Sequence, residues 1–182
     1  MSVPSAKRTS GGGPGEPGGS PSSYRAGVVT VSDGVTEGTR EDRSGAVLEE
    51  LLAADGWHVS RRVVPDEMEA IVAALYELAP DAQVILTTGG TGVAPRDVTP
   101  EGTRAVLERE APGIAEAIRR DAAAKTPHAL LSRGVAGVRG TALIVNLPGS
   151  PGGCRDGFEV LRPVLRHAVE LLAGESTTHR QT

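Results

Sequence analysis

The sequence predicts an α/β fold, a three-layer α/β/α sandwich with a mostly parallel central sheet. Short runs rich in Val, Ile and Leu alternate along the chain with segments whose apolar residues recur at helical spacing. One run, AQVILTT, is apolar on both faces, as expected of a strand that helices cover on both sides. Three predicted strands end in loops rich in glycine, proline or serine. Ligands of such sheets bind beyond the carboxyl ends of the strands, so function is expected in these loops.

The first half of the chain predicts two strands and two helices. AGVVTVSDG reads as a buried strand followed by a loop. A helix begins near Ser44 and ends at Gly56, with an apolar face formed by Val47, Leu48, Leu51 and Leu52. WHVSRRVV alternates like a strand, and PDEMEAIVAALYELAP predicts a helix with Asp66 as its N-cap and Pro80 beyond its end.

The second half continues the alternation. AQVILTT is the third strand, and the helix after it is expected to have Thr99 as its N-cap and Pro100 at its first position. APGIAEAIRRDAAA predicts another helix, whereas residues 125–139 look irregular, with HALLS as a short strand. TALIVNLPGSPGG predicts a strand and a glycine loop, and the final helix, Cys154–Ala173, contains a proline, Pro163, that is expected to split or kink it.

The composition limits the domain count and the class of partner. With 182 residues, of which 38% are hydrophobic, one globular domain is expected over residues 24–174. Residues 1–23 are rich in Gly, Pro and Ser and predict a disordered tail, and residues 175–182 predict a flexible C-terminus.

Charge and cysteine content narrow the function further. A net charge of −4 argues against nucleic acid as a partner, and no run approaches the roughly 18 apolar residues of a membrane span. The single cysteine, Cys154, cannot form an intrachain disulfide, and the four histidines are too scattered to suggest a zinc site. We therefore expect a cytoplasmic protein that binds small molecules and contacts neither nucleic acid nor membrane.

The stretch TTGGTGVAPRDVTPEG follows the third strand and carries four glycines. Gly89, Gly90 and Gly92 would let backbone N–H groups approach a phosphate, and Thr91 could add a hydroxyl. The stretch has neither the Gly-Lys-Ser/Thr of a Walker loop nor the spacing of a dinucleotide fingerprint. Taken alone, glycines in this arrangement form a tight turn more often than a phosphate site.

Three aspartates lie at or near the ends of predicted strands. Asp97, next to Arg96, could help to hold a hard cation such as Mg²⁺ or could belong to a solvated turn. Asp66 is explained by helix capping alone. Asp33 is an ordinary turn residue unless the strand ends meet in a crevice.

The motifs TVSDG, VVPDE, TTGGTGVAPRDVTPEG and SRGVAGVRGTALIVNLPGSPGG, in this order, resemble the molybdopterin adenylyltransferase family of MogA/MoaB-like molybdenum cofactor biosynthesis proteins. The resemblance covers residues 24–174. It implies that the terminal phosphate of molybdopterin attacks the α-phosphate of Mg-ATP, giving adenylyl-molybdopterin and pyrophosphate. It also implies Mg²⁺ as cofactor, a homotrimer, and handover of the product to a molybdate-insertion protein.

The resemblance also assigns site residues. Asp66 and Asp97 match the two essential acidic positions and would position Mg²⁺. The residues expected to face the nucleotide are Ser32, Asp33, Gly89, Gly90, Thr91, Gly92, Asn146, Leu147, Pro148 and Gly149. Those expected near the pterin are Ser132, Arg133 and Arg139. Gly134 departs from the pattern, because some relatives carry a polar side chain there.

Two other functions are compatible with the same resemblance. The chain could be a non-catalytic molybdopterin-binding or scaffold protein, although the presence of both Asp66 and Asp97 favours catalysis. It could also be a stand-alone relative of nucleotide-hydrolysing or molybdate-inserting proteins. Those proteins usually have several domains, and we expect a single domain here.

Overall fold

The computed structural model describes residues 24–174, so the predictions for residues 1–23 and 175–182 lie outside the described residues. The strands are β1 (Arg25–Val31), β2 (His58–Val64), β3 (Val84–Thr88), β4 (Arg109–Glu110), β5 (Ala136–Arg139) and β6 (Ala142–Leu147). The helices are α1 (Asp33–Thr36), α2 (Arg43–Ala54), α3 (Met68–Leu78), α4 (Thr99–Val106), α5 (Pro112–Lys125) and α6 (Pro151–Leu172), with a 3₁₀ helix at Pro127–Leu131.

The strands form one six-stranded sheet in the order β2-β1-β3-β6-β5-β4. The four strands β2, β1, β3 and β6 are parallel, and β5 and β4 add an antiparallel edge. The predicted α/β class and mostly parallel sheet are therefore confirmed. Because β1, β3 and β6 are parallel, the loops that follow them leave the same edge of the sheet.

Two apolar layers cover the two faces of the sheet. On one face Leu48 of α2, Ile118 of α5 and Phe158 of α6 pack against the sheet. On the other face Ile71 of α3 and Val106 of α4 do so. Alternate residues of one strand enter opposite layers, which is why the buried strands read as continuous apolar runs.

The segment from residue 125 to 139 differs from the prediction. HALLS belongs mainly to the 3₁₀ helix Pro127–Leu131, where Leu130 and Leu131 are exposed, so the predicted short strand is wrong. The irregular segment predicted next contains β5, which forms a tight antiparallel hairpin with β6 through Gly140 at φ +54°. Four residues with a glycine among them were too short a signal for a strand.

The last helix is longer than predicted. It begins at Pro151, with the Ser150 hydroxyl accepting a hydrogen bond from the Gly153 N–H at 3.1 Å, and runs unsplit to Leu172. Pro163 lies on its exposed side, while Leu161 and Leu165 are buried against the sheet. This packing offsets the single helical hydrogen bond that proline removes, so the predicted split is wrong.

Two predicted N-caps are also wrong. Helix α3 begins at Met68 after Glu67, and α4 begins at Thr99 after Val98, in both cases without a side-chain cap. The side chains of Asp66 and Thr99 instead form hydrogen bonds to the loops after β1 and β3. Among residues 24–174, no helix has both the length and the apolarity needed to cross a bilayer.

Candidate functional site

The loops that follow β1, β3 and β6 enclose a cavity of about 540 Å³, which we call the acidic cavity. Its wall includes Ser32, Asp66, Gly89, Gly90, Asp97 and Gly149. Four residues at the start of α2 and just before it also line the cavity: Arg40, Glu41, Arg43 and Ser44. The structure thus brings together residues from all three strand ends, together with Asp66 from the loop after β2.

Asp66 is held by a reciprocal contact with the loop after β1. The Asp33 N–H donates to Asp66 Oδ2 at 2.8 Å, and the Asp66 N–H donates to Asp33 Oδ1 at 3.0 Å. Two residues that are 33 positions apart therefore fix each other's backbone. This contact, rather than helix capping, sets the position of the Asp66 carboxylate.

Arg96 neutralises Asp33. Its Nε donates to Asp33 Oδ2 at 2.7 Å and its Nη2 to Oδ1 at 2.9 Å. These bonds, with the Asp66 N–H, hold the pKa of Asp33 below its ordinary value. Arg96 therefore ties the loop after β3 to the loop after β1, and Asp33 faces this arginine.

Asp97 lies in a turn that its own carboxylate stabilises. Its Oδ2 accepts from the Ala94 N–H at 2.9 Å, and the Asp97 N–H donates to the Ala94 carbonyl at 2.9 Å. In Asp66 as in Asp97, one carboxylate oxygen is bonded to a backbone N–H. The other oxygen, Oδ1, accepts no hydrogen bond from any residue within 24–174.

These two carboxylates fit a magnesium ion that also binds substrate oxygens. Both line the acidic cavity, and each offers one oxygen without a protein donor in the described part of the chain. Among the described residues no three His, Cys, Asp or Glu side chains gather into a metal site. Mg²⁺ commonly takes one or two carboxylates and completes its shell with water and substrate phosphate, so two suffice.

The glycines after β3 are required by close packing. Gly89 has φ +98° and Gly90 has φ +62°. A Cβ on Gly89 would overlap the Val31 carbonyl oxygen, and one on Gly90 would lie 2.5 Å from Thr99 Oγ1 and 3.2 Å from Asp66 Oδ1. The absence of side chains here lets the strand ends meet and leaves the space beside Asp66 open.

Two of the residues expected to face a nucleotide lie inside the protein. Asn146 is buried; its Nδ2 donates at 2.9 Å to the hydroxyls of Thr87 and Thr103, and its Oδ1 accepts from the Val135 N–H at 3.1 Å. Leu147 is fully buried in the core. They anchor the end of β6, and only the residues that follow them reach a cavity.

A buried polar contact joins the loops after β3 and β6. The Thr88 hydroxyl donates to the Pro148 carbonyl at 2.7 Å, and Cys154 Sγ lies 3.2 Å from both groups. Burial raises the pKa of the Cys154 thiol to about 11, so the thiol is protonated at neutral pH. Cys154 is a structural residue in this contact.

A second cavity of about 320 Å³ lies on the other side of Thr91 and Gly92, and we call it the apolar cavity. Its wall is mainly hydrocarbon, and the contributing side chains include Ile118, Ala122, Leu131 and Pro148. The two cavities draw on neighbouring residues of the same two loops: Gly90 and Gly149 line the acidic cavity, whereas Thr91 and Pro148 line the apolar one.

Two cations at the apolar cavity differ in their partners. Lys125 lies 2.9 Å from both Asp121 and Asp156. Arg119 is half-buried and donates from Nη1 to the Gly134 carbonyl at 2.7 Å, with no carboxylate within 4.0 Å in residues 24–174. The sequence analysis missed Arg119. Its position one turn after Ala115, on the inward face of α5, was the available signal.

The three residues expected near a pterin have three different surroundings. Ser132 lines the apolar cavity. Arg133 directs its guanidinium toward the loop after β3 and the start of α4, where it bonds the Gly92 carbonyl and Glu101. Arg139 pairs with the start of β6, at the opposite end of the sheet, and lies 4.1 Å from the centre of the Tyr76 ring. The structure does not bring Arg139 to the other predicted residues.

Known proteins share this sequence and fold. A family model described as "Probable molybdopterin binding domain" matches residues 27–167. The molybdenum cofactor synthesis protein cinnamon of Drosophila melanogaster is 40% identical over 160 residues, which are 86% of this chain and 27% of that protein. A molybdopterin adenylyltransferase of Helicobacter pylori is 37% identical over 81% of this chain and 87% of its own length.

A solved structure extends the likeness to three dimensions. The molybdopterin biosynthesis enzyme MoaB of Thermus thermophilus has 49% sequence identity and a TM-score of 0.78, covering 83% of this chain and 97% of its own. The family model matches well over half of the chain, and the Helicobacter relative is covered over most of its length. The chain therefore belongs to the molybdopterin-binding domain family of molybdenum cofactor biosynthesis proteins.

Proposed function

We propose that the protein adenylylates molybdopterin, with Mg-ATP as the adenylyl donor and pyrophosphate as the second product. The observation that carries this proposal is the pair of adjacent cavities, one with Asp66 and Asp97 in its wall and the other lined mainly by hydrocarbon. The Helicobacter relative, which has the name of this activity, supports the same function.

In this proposal the acidic cavity binds ATP. Asp66 and Asp97 would hold Mg²⁺, and the ion would neutralise charge on the phosphates. Ser32 and the backbone around Gly89 and Gly149 line the space that the nucleotide occupies. Arg40 brings a cation to the rim of the cavity.

The apolar cavity binds the pterin. Its hydrocarbon wall suits a flat bicyclic ring, and Ser132 offers a hydroxyl at its edge. Molybdopterin carries a phosphate and two thiols, so it is an anionic ligand. Arg119 supplies the cation, because its half-buried guanidinium pairs only with a neutral carbonyl within residues 24–174.

The chemistry requires positioning more than acid-base strength. An oxygen of the molybdopterin phosphate forms a bond to the α-phosphorus of ATP, and the bond from that phosphorus to the bridging oxygen of the β-phosphate breaks, so pyrophosphate leaves. A phosphate nucleophile is already ionised, so no general base is needed. The protein's contribution is to hold both substrates in line across the Gly89–Gly92 loop.

The remaining proposals rest on the family resemblance. We propose a homotrimer, a cytoplasmic location, and handover of adenylyl-molybdopterin to a molybdate-insertion protein.

Product analysis tests the proposed function. The full chain is mixed with Mg-ATP and molybdopterin, and the products are identified by mass spectrometry. The expected products are adenylyl-molybdopterin and pyrophosphate in equal amounts. Binding of both substrates without any adenylylated product would instead make the chain a non-catalytic molybdopterin-binding protein.

A further inference from the structure

We infer that Arg133 is a positioning residue for Asp97 rather than a contact of the pterin. The inference rests on the proposed function and concerns how the Asp97 carboxylate is held in position. Arg133 follows Ser132, in the segment that the family resemblance places beside the pterin, but its guanidinium turns away from the apolar cavity, whose wall it does not join.

One guanidinium holds both ends of the loop from Gly92 to Asp97. Arg133 Nε donates to the Gly92 carbonyl at 2.6 Å, and its Nη2 donates to the Asp97 carbonyl. Its Nη1 forms an ion pair with Glu101, in the first turn of α4. The Arg133 N–H adds a bond to the Thr91 carbonyl at 2.8 Å.

The loop has little else to hold it in place. Residues 93–96 are exposed, and the Val93 side chain is 64% exposed, so no apolar burial fixes their path. The Ala94–Asp97 turn is local, and the bonds from Arg96 to Asp33 cross an exposed surface. Exposed ion pairs contribute little rigidity, and the Arg133–Glu101 pair, with side chains 37% and 42% exposed, is of the same kind. What distinguishes Arg133 is its pair of bonds to the carbonyls of Gly92 and Asp97. The Arg133 bonds therefore set where the Asp97 carboxylate lies.

The geometry of the bonds requires arginine. The planar guanidinium presents donors in several fixed directions and can reach two carbonyls and a carboxylate at once. The flexible, single-point ammonium of lysine cannot span the two ends of the loop and Glu101 together. The bond to Glu101 also holds the pKa of that carboxyl below its usual range.

The test compares Arg133→Lys with Arg119→Gln and Arg104→Gln in the full chain. Arg104 is the matched control, because it lies on α4 beside Glu101 but pairs with Glu110 across an exposed surface at 3.3 Å. Two quantities are measured for each variant. One is amide hydrogen exchange of residues 93–98 and of β1 and β3. The other is kcat and KM for adenylyl transfer to molybdopterin.

In Arg133→Lys we expect exchange at the Ala94 and Asp97 N–H groups to rise by at least about tenfold, with β1 and β3 still protected. The kcat value should fall on the order of 100-fold, the scale of a small misplacement of a catalytic group, with KM for molybdopterin unchanged. Arg119→Gln should instead raise the KM for molybdopterin, with normal amide exchange in residues 93–98. Arg104→Gln should match the wild type.

A raised KM for molybdopterin with normal kcat and normal loop exchange in Arg133→Lys would overturn the inference. If that variant loses protection in β1 and β3 as well, Glu101→Ala, which removes the acceptor of the Arg133 Nη1 bond, takes its place. Faster exchange confined to the loop then supports the inference, and unchanged exchange overturns it. The exchange measurement needs no substrate, so it tests the Arg133 contacts even if the protein has no transfer activity. Absence of transfer activity in the wild-type protein would refute the proposed function alone.

Discussion

At the scale of single residues, backbone N–H groups hold the two site carboxylates, Asp66 and Asp97, in place. Asp66 accepts from the Asp33 N–H, and Asp97 accepts from the Ala94 N–H, so each carboxylate is oriented through one oxygen. The second oxygen faces no donor in the part of the chain that the structure describes. Orienting a carboxylate in this way restricts its motion without neutralising its charge.

The Asp66→Asn variant separates the contribution of Asp66 to stability from its contribution to turnover. In Asp66→Asn the side-chain oxygen can still accept from the Asp33 N–H, so the free energy of unfolding should change by no more than about 1 kcal/mol. Turnover should nevertheless fall by orders of magnitude, because the negative charge is lost. Urea unfolding and single-turnover assays measure the two quantities.

Glu67→Gln is the matched control for this experiment. Glu67 is the neighbouring acid and is exposed, and its side chain forms no cap bond to α3. This variant should keep normal turnover. Normal turnover in Asp66→Asn as well would remove Asp66 from the catalytic assignment.

The Arg96–Asp33 ion pair predicts how the stability of the protein depends on pH. Arg96 lowers the pKa of Asp33 below its ordinary value of 3.8. The stability this pair contributes is therefore fully present above pH 3.8 and is lost as the pH falls through the lower folded-state pKa. In Arg96→Gln the pKa of Asp33 should rise toward 3.8, as measured by the carboxyl ¹³C shift during an acid titration. An unchanged titration midpoint would show that the pair does not persist in solution.

At the level of elements, the loop between β3 and α4 is shaped by the strand end beside it. Gly89 lies against the Val31 carbonyl, and the Thr99 hydroxyl donates to the Gly89 carbonyl at 2.9 Å. The start of α4 is thus tied to the end of β3, and both are packed on the end of β1. The same glycines that permit this packing leave the acidic cavity open.

A comparison of two glycines tests this packing. Gly89→Ala introduces a Cβ that meets the Val31 carbonyl, whereas Gly38→Ala introduces one with nothing within 4 Å, at a similarly positive φ of +72°. Gly38→Ala should lower the free energy of unfolding by about 1–2 kcal/mol, the cost of a left-handed conformation. Gly89→Ala should lower it by more, because steric overlap adds to the same cost. Equal losses in urea unfolding would contradict the close packing.

Most elements could be predicted because their signals are local. The β-branched run of β1 and the helical spacing in α3 depend on neighbouring residues only, and both elements lie where they were expected. The caps at Asp66 and Thr99 could not be predicted correctly. A side chain that can cap a helix can equally well form a hydrogen bond with a backbone N–H or C=O group far away in the sequence. Asp66 accepts from the N–H of a residue 33 positions away.

The site itself was predictable only in part. The motif order identified Asp66, Asp97, Gly89 and Gly90, and the structure places these four around one cavity. Gly92 lines the apolar cavity instead. Sequence could not show that Asn146 turns inward to Thr87 and Thr103, or that Arg139 lies at the far end of the sheet. Arg119 was missed because a single arginine on a helix has no motif. Only the structure shows that no carboxylate among residues 24–174 neutralises it.

At the level of the whole molecule, one of the two core layers contains the only cysteine of the chain. Cys154 is fully buried beneath the loops after β3 and β6, and its pKa is raised to about 11. Iodoacetamide should therefore label the native protein at a rate limited by unfolding, and urea should accelerate labelling along the unfolding curve. Rapid, complete labelling of the folded protein would mean that the loops open independently of the core.

The central claim is that an adenylyl group passes from the acidic cavity to a phosphate held beside the apolar cavity. The most direct measurement is one turnover with ATP labelled in parallel reactions at the α- or the γ-phosphate, in the presence of Mg²⁺ and molybdopterin. The account predicts that the α-label appears in molybdopterin and the γ-label in pyrophosphate, in equal amounts. Transfer of the γ-label to molybdopterin, or release of both labels without any modified pterin, would contradict it.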